Sequence, residues 1–187
     1  MNFAKVIGAV VTGLEGAGIR FAVIGGFAMG LRGVQRATMD LDFILMLEDL
    51  EKADALLTGL GYRRAFHSEN VSHYLSNDRE WGRIDILHAF RGPSLGMLNR
   101  AERLGIGDGV ELPVVRIVDL IGLKIQALVN DPERATSDWA DIRLLLQAAA
   151  ARGESLDWEL LEDYLCIFRM EDRLPELKSI HGQAHRN

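Results

Sequence analysis

Cysteine is nearly absent from this chain. Cys166 stands alone, so no internal disulfide can form and no cysteine-based zinc site can be assembled. A lone thiol of this kind is expected in the core. Long hydrophobic runs are missing as well: none approaches the ~18 uninterrupted apolar residues of a membrane span, and Met1-Asn2-Phe3-Ala4-Lys5 does not open a signal peptide. The expectation is a cytoplasmic protein with no membrane partner. Positive charge is not in excess, and the net charge of −6 argues against a protein that coats nucleic acid by bulk electrostatics. Neither a P-loop (GxxxxGK followed by Ser or Thr) nor a GxGxxG fingerprint occurs, and no repeat or low-complexity segment is evident. The histidines (His67, His73, His88, His181, His185) show no metal-ligand spacing with a cysteine or carboxylate, which points to surface or hydrogen-bonded structural roles. Trp81, Trp139 and Trp158 are expected to anchor packing rather than to stack bases.

What is present is a chain of 187 residues, 48% hydrophobic and 26% charged. That is enough to bury a substantial core in one domain, or one domain plus an extension. Arginines recur through the middle (Arg32, Arg36, Arg63, Arg64, Arg79, Arg83, Arg91, Arg100, Arg103), whereas Asp131 to Asp163 is dominated by acids. This pattern fits either a solvated surface of mixed sign or a phosphate-facing side.

The stretch from Phe21 to Leu45 organises the rest. A buried strand over Arg20 to Ile24 breaks at Gly25-Gly26, a short helix follows from Phe27 to Leu31, and the chain returns as a second strand from Asp40 to Leu47. Alternation along that strand points Asp40 and Asp42 to one face and Leu41 and Phe43 to the other. Paired like charges in a half-buried strand call for a cation between them, and a hard divalent metal with oxygen ligands is the natural candidate. Asp85, in Arg83-Ile84-Asp85-Ile86-Leu87, repeats the same apolar strand setting. If the two strands are neighbours, three carboxylates converge, the layout of a two-metal centre with Mg²⁺ ions about 3.5–4 Å apart. The plain alternative is that each Asp caps a strand end or pairs with Arg36, Arg83 or another arginine. The glycine pair has two readings of its own. It can serve only a backbone position needing positive φ, or it can let a phosphate approach the N–H groups at a helix start.

Further along, the pattern predicts a helix from Val6 to Gly16, another from Glu48 to Leu60, and strands over Arg63–His67, Val71–Ser76 and Arg83–Ala89. A short helix is expected from Leu95 to Arg103 and an extended piece near Val110 to Val115. Helices follow over Ile117–Val129, Glu133–Ala151 and Asp157–Arg169, and the tail from Leu174 to Asn187 reads as polar and frayed. The fold class is α+β, a mixed sheet with helices, in two regions: a core over 1–116 and a helical C-terminal region over 117–187. Lys124 shares a helical stripe with Leu120, Ile121 and Leu128, and Asp138 and Asp141 share one with Ile142 and Leu145. Inward-facing ions on successive helices imply either a Lys–Asp clamp or a site where Lys124 meets a phosphate.

Together these residues carry a resemblance. Gly25-Gly26, then Asp40-x-Asp42, then Asp85 on a later strand resemble the signature of the nucleotidyltransferase superfamily related to DNA polymerase beta. The form Ile24-Gly25-Gly26 with Arg36-Ala37-Thr38-Met39-Asp40-Leu41-Asp42-Phe43 is similar to the AbiEii branch, which includes toxin nucleotidyltransferases. That branch also has a helical Lys followed by Asp-x-x-Asp, as in Lys124 and Asp138-x-x-Asp141. Ser137 stands where the branch often carries a basic residue, and the chain is short for the branch. The resemblance spans roughly Phe21 to Leu146. It implies a minimal nucleotidyltransferase core that moves an NMP from an NTP to an acceptor hydroxyl. Asp40, Asp42 and Asp85 would be the catalytic and Mg²⁺-binding residues. Gly25, Gly26, Arg36, Thr38, Lys124, Asp138 and Asp141 would bind the nucleotide. The implied acceptor is a tRNA end, with a cognate antitoxin as protein partner. The alternatives are a small hydroxylated antibiotic of the aminoglycoside or lincosamide kind, or a catalytically silent nucleotide- or partner-binding module.

Overall fold

A computed structural model describes residues 1–107 and 109–184, and the expectations placed on His185 and the rest of 185–187 lie outside the described residues. Seven strands form one mixed sheet: β1 (Phe21–Ile24), β2 (Asp40–Met46), β3 (Tyr62–His67), β4 (Val71–Ser76), β5 (Arg83–Ala89), β6 (Glu102–Gly107) and β7 (Val110–Val114). Their order across the sheet is β3-β4-β5-β2-β1-β7-β6. β2 runs antiparallel to β1 and parallel to β5, while β1 pairs parallel with β7. The helices are α1 (Phe3–Gly16), α2 (Gly25–Leu31), α3 (Leu50–Gly59), α4 (Gly92–Arg100), α5 (Ile117–Asn130), α6 (Ala135–Ala151), α7 (Trp158–Ile167) and α8 (Leu174–Ala184).

The chain divides into two compact units. The first comprises Met1–Ala28 and Arg36–Val115 and contains the whole sheet. All four residues of β1 are buried, as expected of a central strand covered on both faces. β2 alternates: Leu41, Phe43 and Leu45 are buried on one face, and Asp40, Asp42 and Met46 are half-buried on the other. Phe21 and Phe43 meet edge to face with ring centroids 5.9 Å apart, in the arrangement aromatic quadrupoles favour. α1 buries Val6, Ile7, Val10, Val11 and Leu14 on one stripe, and Asn2 caps it by accepting from the Lys5 N–H at 3.2 Å. Gly13 lies against Leu56 so closely that a side chain there would displace it, which fixes the approach of α1 to α3.

The second unit comprises Met29–Gln35 and Arg116–Asn187. Here α5 buries Ile117, Val118, Leu120, Ile121, Ile125 and Leu128, and α6 buries Ile142, Leu145, Leu146, Ala149 and Ala150. The Tyr164 hydroxyl donates to Asp119 at 2.7 Å, and the Tyr164 ring rests on Gly122 where any side chain would collide with it.

Three expectations are corrected. The helix expected over Leu95–Arg103 occupies Gly92–Arg100 instead, and Glu102 and Arg103 open β6, an edge strand hairpinned to β7. Only Leu104 and Ile106 supply apolar side chains to β6, and its residues alternate between half-buried and exposed, too weak a signal to break the helical spacing before it. The tail is not frayed through Ala184: Leu177 of α8 is fully buried, flanked by the half-buried Leu174 and Ile180 at helical spacing. Cys166 is exposed rather than in the core, because the buried stripe of α7 is Leu161, Tyr164 and Leu165 and the next position turns to solvent. No helix of the described residues is long and apolar enough to cross a membrane.

Candidate active site

The parallel pairing of β2 with β5 sets Asp40 opposite Arg83 and Asp42 opposite Asp85. Because side chains in register share a face, the two acidic strands present Asp40, Asp42 and Asp85 on the same side of the sheet. Asp42 is also in register with Ile24, the last residue of β1, so the glycine pair that follows lies beside its carboxylate. Gly25 adopts φ +66°, and a Cβ there would overlap the carboxylate and come within 2.8 Å of Asp42 Cβ. Gly25 is therefore required twice over, by its left-handed backbone and by the acid packed against it. Instead of forming a turn that precedes the helix, the two glycines are the first residues of α2 itself. The Gly26 N–H donates to Asp42, and a Cβ on Gly26 would press on Thr38 at 3.0 Å. Thr38 Oγ1 in turn donates to the Asp40 carbonyl at 3.2 Å and accepts from the Asp40 N–H at 3.4 Å, closing the approach to β2. Arg36 is exposed on the segment leading into that strand.

The electrostatics are those of crowded acids. Burial, followed by the charges of Asp85 and Asp40, pushes the Asp42 carboxyl up to about 6, and only Arg83 and the Gly26 N–H oppose this. Asp85 is held differently: its Oδ1 receives Arg83 Nε at 2.7 Å and faces His73 Nδ1 at 2.8 Å. Among the described residues, no group of three His, Cys, Asp or Glu side chains is drawn close enough to hold a metal ion. The donor chemistry nevertheless suits a hard cation, since three oxygen-bearing acids share one face and the like-charge repulsion on Asp42 is only partly offset by Arg83 and the Gly26 N–H.

Lys124, Asp138 and Asp141 are brought together within the helical unit. Lys124 Nζ lies 2.8 Å from Asp138 Oδ1 and 2.6 Å from Asp141 Oδ2, with side-chain exposures of 11%, 1% and 8%. Arg134 Nε stands 3.4 Å from Asp138 Oδ2. A cation bridging two buried carboxylates offsets part of the desolvation cost that either acid alone would incur.

His73 is a neighbour of the acids that sequence reasoning missed. It sits on β4 opposite Asp85, and its ring stacks on Phe66 with centroids 5.1 Å apart. No spacing rule could have paired residues 12 apart without knowledge of the strand order. His67 and His88 fill the structural roles expected of them, both hydrogen-bonded to Ser72, and burial lowers the His88 pKa. Trp81, Trp139 and Trp158 are half-buried. Trp81 meets Tyr62 edge to face, and Arg173 and Lys178 cover the Trp139 and Trp158 rings.

The mixed sheet with helices is the fold of nucleotidyltransferases. The chain is similar to the antibiotic-resistance factor ANT(2'')-Ia, with a TM-score of 0.63 and 18% identity, covering 98% of this chain and 100% of that one. It is also similar to the lincosamide antibiotic adenylyltransferase LnuA (TM-score 0.55, 15% identity, covering 75% of this chain and 94% of that one). A third likeness is an antigenic nucleotidyltransferase-like protein from Paracoccidioides brasiliensis (TM-score 0.57, 16% identity, covering 97% of this chain and 92% of that one). No protein-family profile matches the chain, and no curated protein matches it in sequence.

Proposed function

We propose that this protein is an Mg²⁺-dependent nucleotidyltransferase that moves an NMP from an NTP to an acceptor hydroxyl. The observation that carries the reading is the register of Asp42 with Asp85 beside the Gly25-Gly26 start of α2. In this reading residues 1–116 are the nucleotidyltransferase core and 117–187 a helical C-terminal region. Asp40, Asp42 and Asp85 would hold the metal, which would supply positive charge to offset that of the triphosphate. The acceptor oxygen bonds to the α-phosphorus, the bond to the bridging oxygen breaks, and pyrophosphate leaves with the electron pair. Asp85 takes the hydroxyl proton, with Arg83 and His73 fixing the carboxylate that receives it. By the resemblance, Gly25, Gly26, Arg36 and Thr38 are assigned to the nucleotide, as are Lys124, Asp138 and Asp141, whose ion pairs with one another lie within the helical unit. Positioning and electrostatics dominate this class of transfer, so few residues suffice.

The acceptor has two readings. The motif resemblance to the AbiEii branch supports an RNA end, with a cognate antitoxin as regulator. The likeness to two antibiotic-modifying structures supports a small hydroxylated antibiotic. Incubation with labelled NTP, Mg²⁺ and either total RNA or an aminoglycoside and lincosamide panel separates them by where the label appears. Asp42→Asn is expected to reduce transfer at least a hundredfold with native circular dichroism, and unchanged turnover in that variant would refute the assignment.

A further inference from the structure

The acid face continues past Asp85 toward the edge of the sheet. Register runs Asp42, Asp85, His73, Phe66 across β2, β5, β4 and β3, one residue per strand. Phe66 reaches this row only because of an irregularity. Arg63 pairs with Leu75 and Arg64 with Tyr74, then the register shifts between Arg64 and Phe66, so that Phe66 pairs with His73. Without the extra residue, simple alternation would send Phe66 to the same side as Arg64, whose guanidinium pairs with Asp54 of α3. The bulge re-aims an aromatic ring toward the acids, a use of bulges that recurs beside functional sites.

The ring it delivers remains accessible. Phe66 is 50% exposed and Leu75, on the same face, is 39% exposed. The Phe66 and His73 rings lie nearly parallel, at 26°, and with Phe66 half exposed the pair has the form of a stack that a further planar ring can extend. The charges bordering the pair are of both signs: Asp85 touches His73 and holds Arg83, while Arg63 is exposed, faces the same side and has no ion-pair partner among the described residues. A planar base linked to a phosphate would meet here both an exposed ring to stack on and the unpaired charge of Arg63.

We propose that the Phe66–His73 pair is the acceptor platform, on which the terminal base of a single-stranded RNA stacks with its phosphate near Arg63 and its terminal hydroxyl directed toward Asp85. The proposal rests on Asp85 serving an acceptor hydroxyl, and it assigns the nucleotide and the acceptor to opposite sides of that residue.

The test uses the full chain without NTP and a short fluorescein-labelled oligouridylate, with affinity read by anisotropy. Phe66→Ala is expected to weaken binding about tenfold or more, the scale of one lost base stack. Phe66→Trp is expected to restore it, and Arg63→Ala to flatten the dependence on salt. Binding of Mg²⁺-ATP, followed by calorimetry, should be unchanged in Phe66→Ala. Equal RNA affinity in Phe66→Ala and the parent chain would overturn the platform, as would a Phe66-dependent affinity for tobramycin without affinity for RNA. Because no turnover is measured, Phe66-dependent RNA binding alongside an inert transfer assay would sustain the platform while removing the catalytic reading.

Discussion

At the scale of single residues, the decisive feature is a carboxylate at odds with its surroundings. Asp42 is ionised at neutral pH against burial and two neighbouring acids, and its carboxyl is raised to about 6 from a normal value near 3.8. A group whose folded pKa lies above its unfolded one stabilises the fold fully below the unfolded value and loses that contribution as pH rises through the folded value. Between about pH 4 and pH 7 the metal-free protein therefore gives up stability that an amide at this position would keep. Asp42→Asn is expected to be more stable than the parent at pH 7 by about 2 kcal/mol, a displacement of roughly two units discounted for partial exposure. The advantage should vanish near pH 4. Urea melts of both proteins in EDTA at the two pH values check this, and equal stability at pH 7 would show that the acids are already compensated. The three acids were legible because alternation on a strand is a strong constraint. His73 was not, since its pairing with Asp85 depends on the strand order, and Phe66 was not, since a bulge inserts one residue without any mark in the sequence.

At the scale of elements, strongly periodic segments were readable and marginal ones were not. β1, β2, β4 and β5 stand close to their expected places because each combines an apolar run with punctuation by Gly, Asn, Asp or Ser. β6 was hidden because it is an edge strand with few apolar side chains and is separated from the end of α4 by one residue. α8 was hidden because its buried stripe is thin, with Leu177 as its one fully buried side chain. That thinness makes Leu177 disproportionately important. Leu177→Ala is expected to cost about 2–4 kcal/mol, and hydrogen exchange should show α8 losing protection before the sheet does. Exchange in α8 no faster than in the parent would mean that the helix is held by other contacts.

At the scale of the whole molecule, the two compact units are not two consecutive pieces of chain. Met29–Gln35 belongs with the helical unit although it lies between β1 and β2 in sequence, and α2 begins in one unit and ends in the other. Met29 and Val34 are buried at 0% and 4% exposure and Arg32 at 4%, so removing the helical half would strip the environment of a segment embedded in the first half. A fragment of residues 1–115 is expected to bind a hydrophobic dye and to unfold without a sharp transition. Cooperative unfolding of a monomeric fragment would refute this dependence. The helical character of the C-terminal half was plain from its periodicity. The allegiance of residues 29–35 was not, because seven residues carry no signal of which core they join.

The parallel pairing of β2 with β5 also has a consequence in time. Asp42 and Asp85 are separated by two strands, a helix and their turns, and β1 finds its parallel partner β7 only some ninety residues further along the chain. On a ribosome adding about 5–20 residues per second, Asp40 and Asp42 emerge seconds before the strand that sets Asp85 beside them. The emerging polypeptide carries only part of its acid cluster, and the complete cluster exists only once the non-local strands have joined. Any cation that prefers the assembled cluster then rewards the joining of β2 to β5, tying ligand capture to a non-local pairing of the fold.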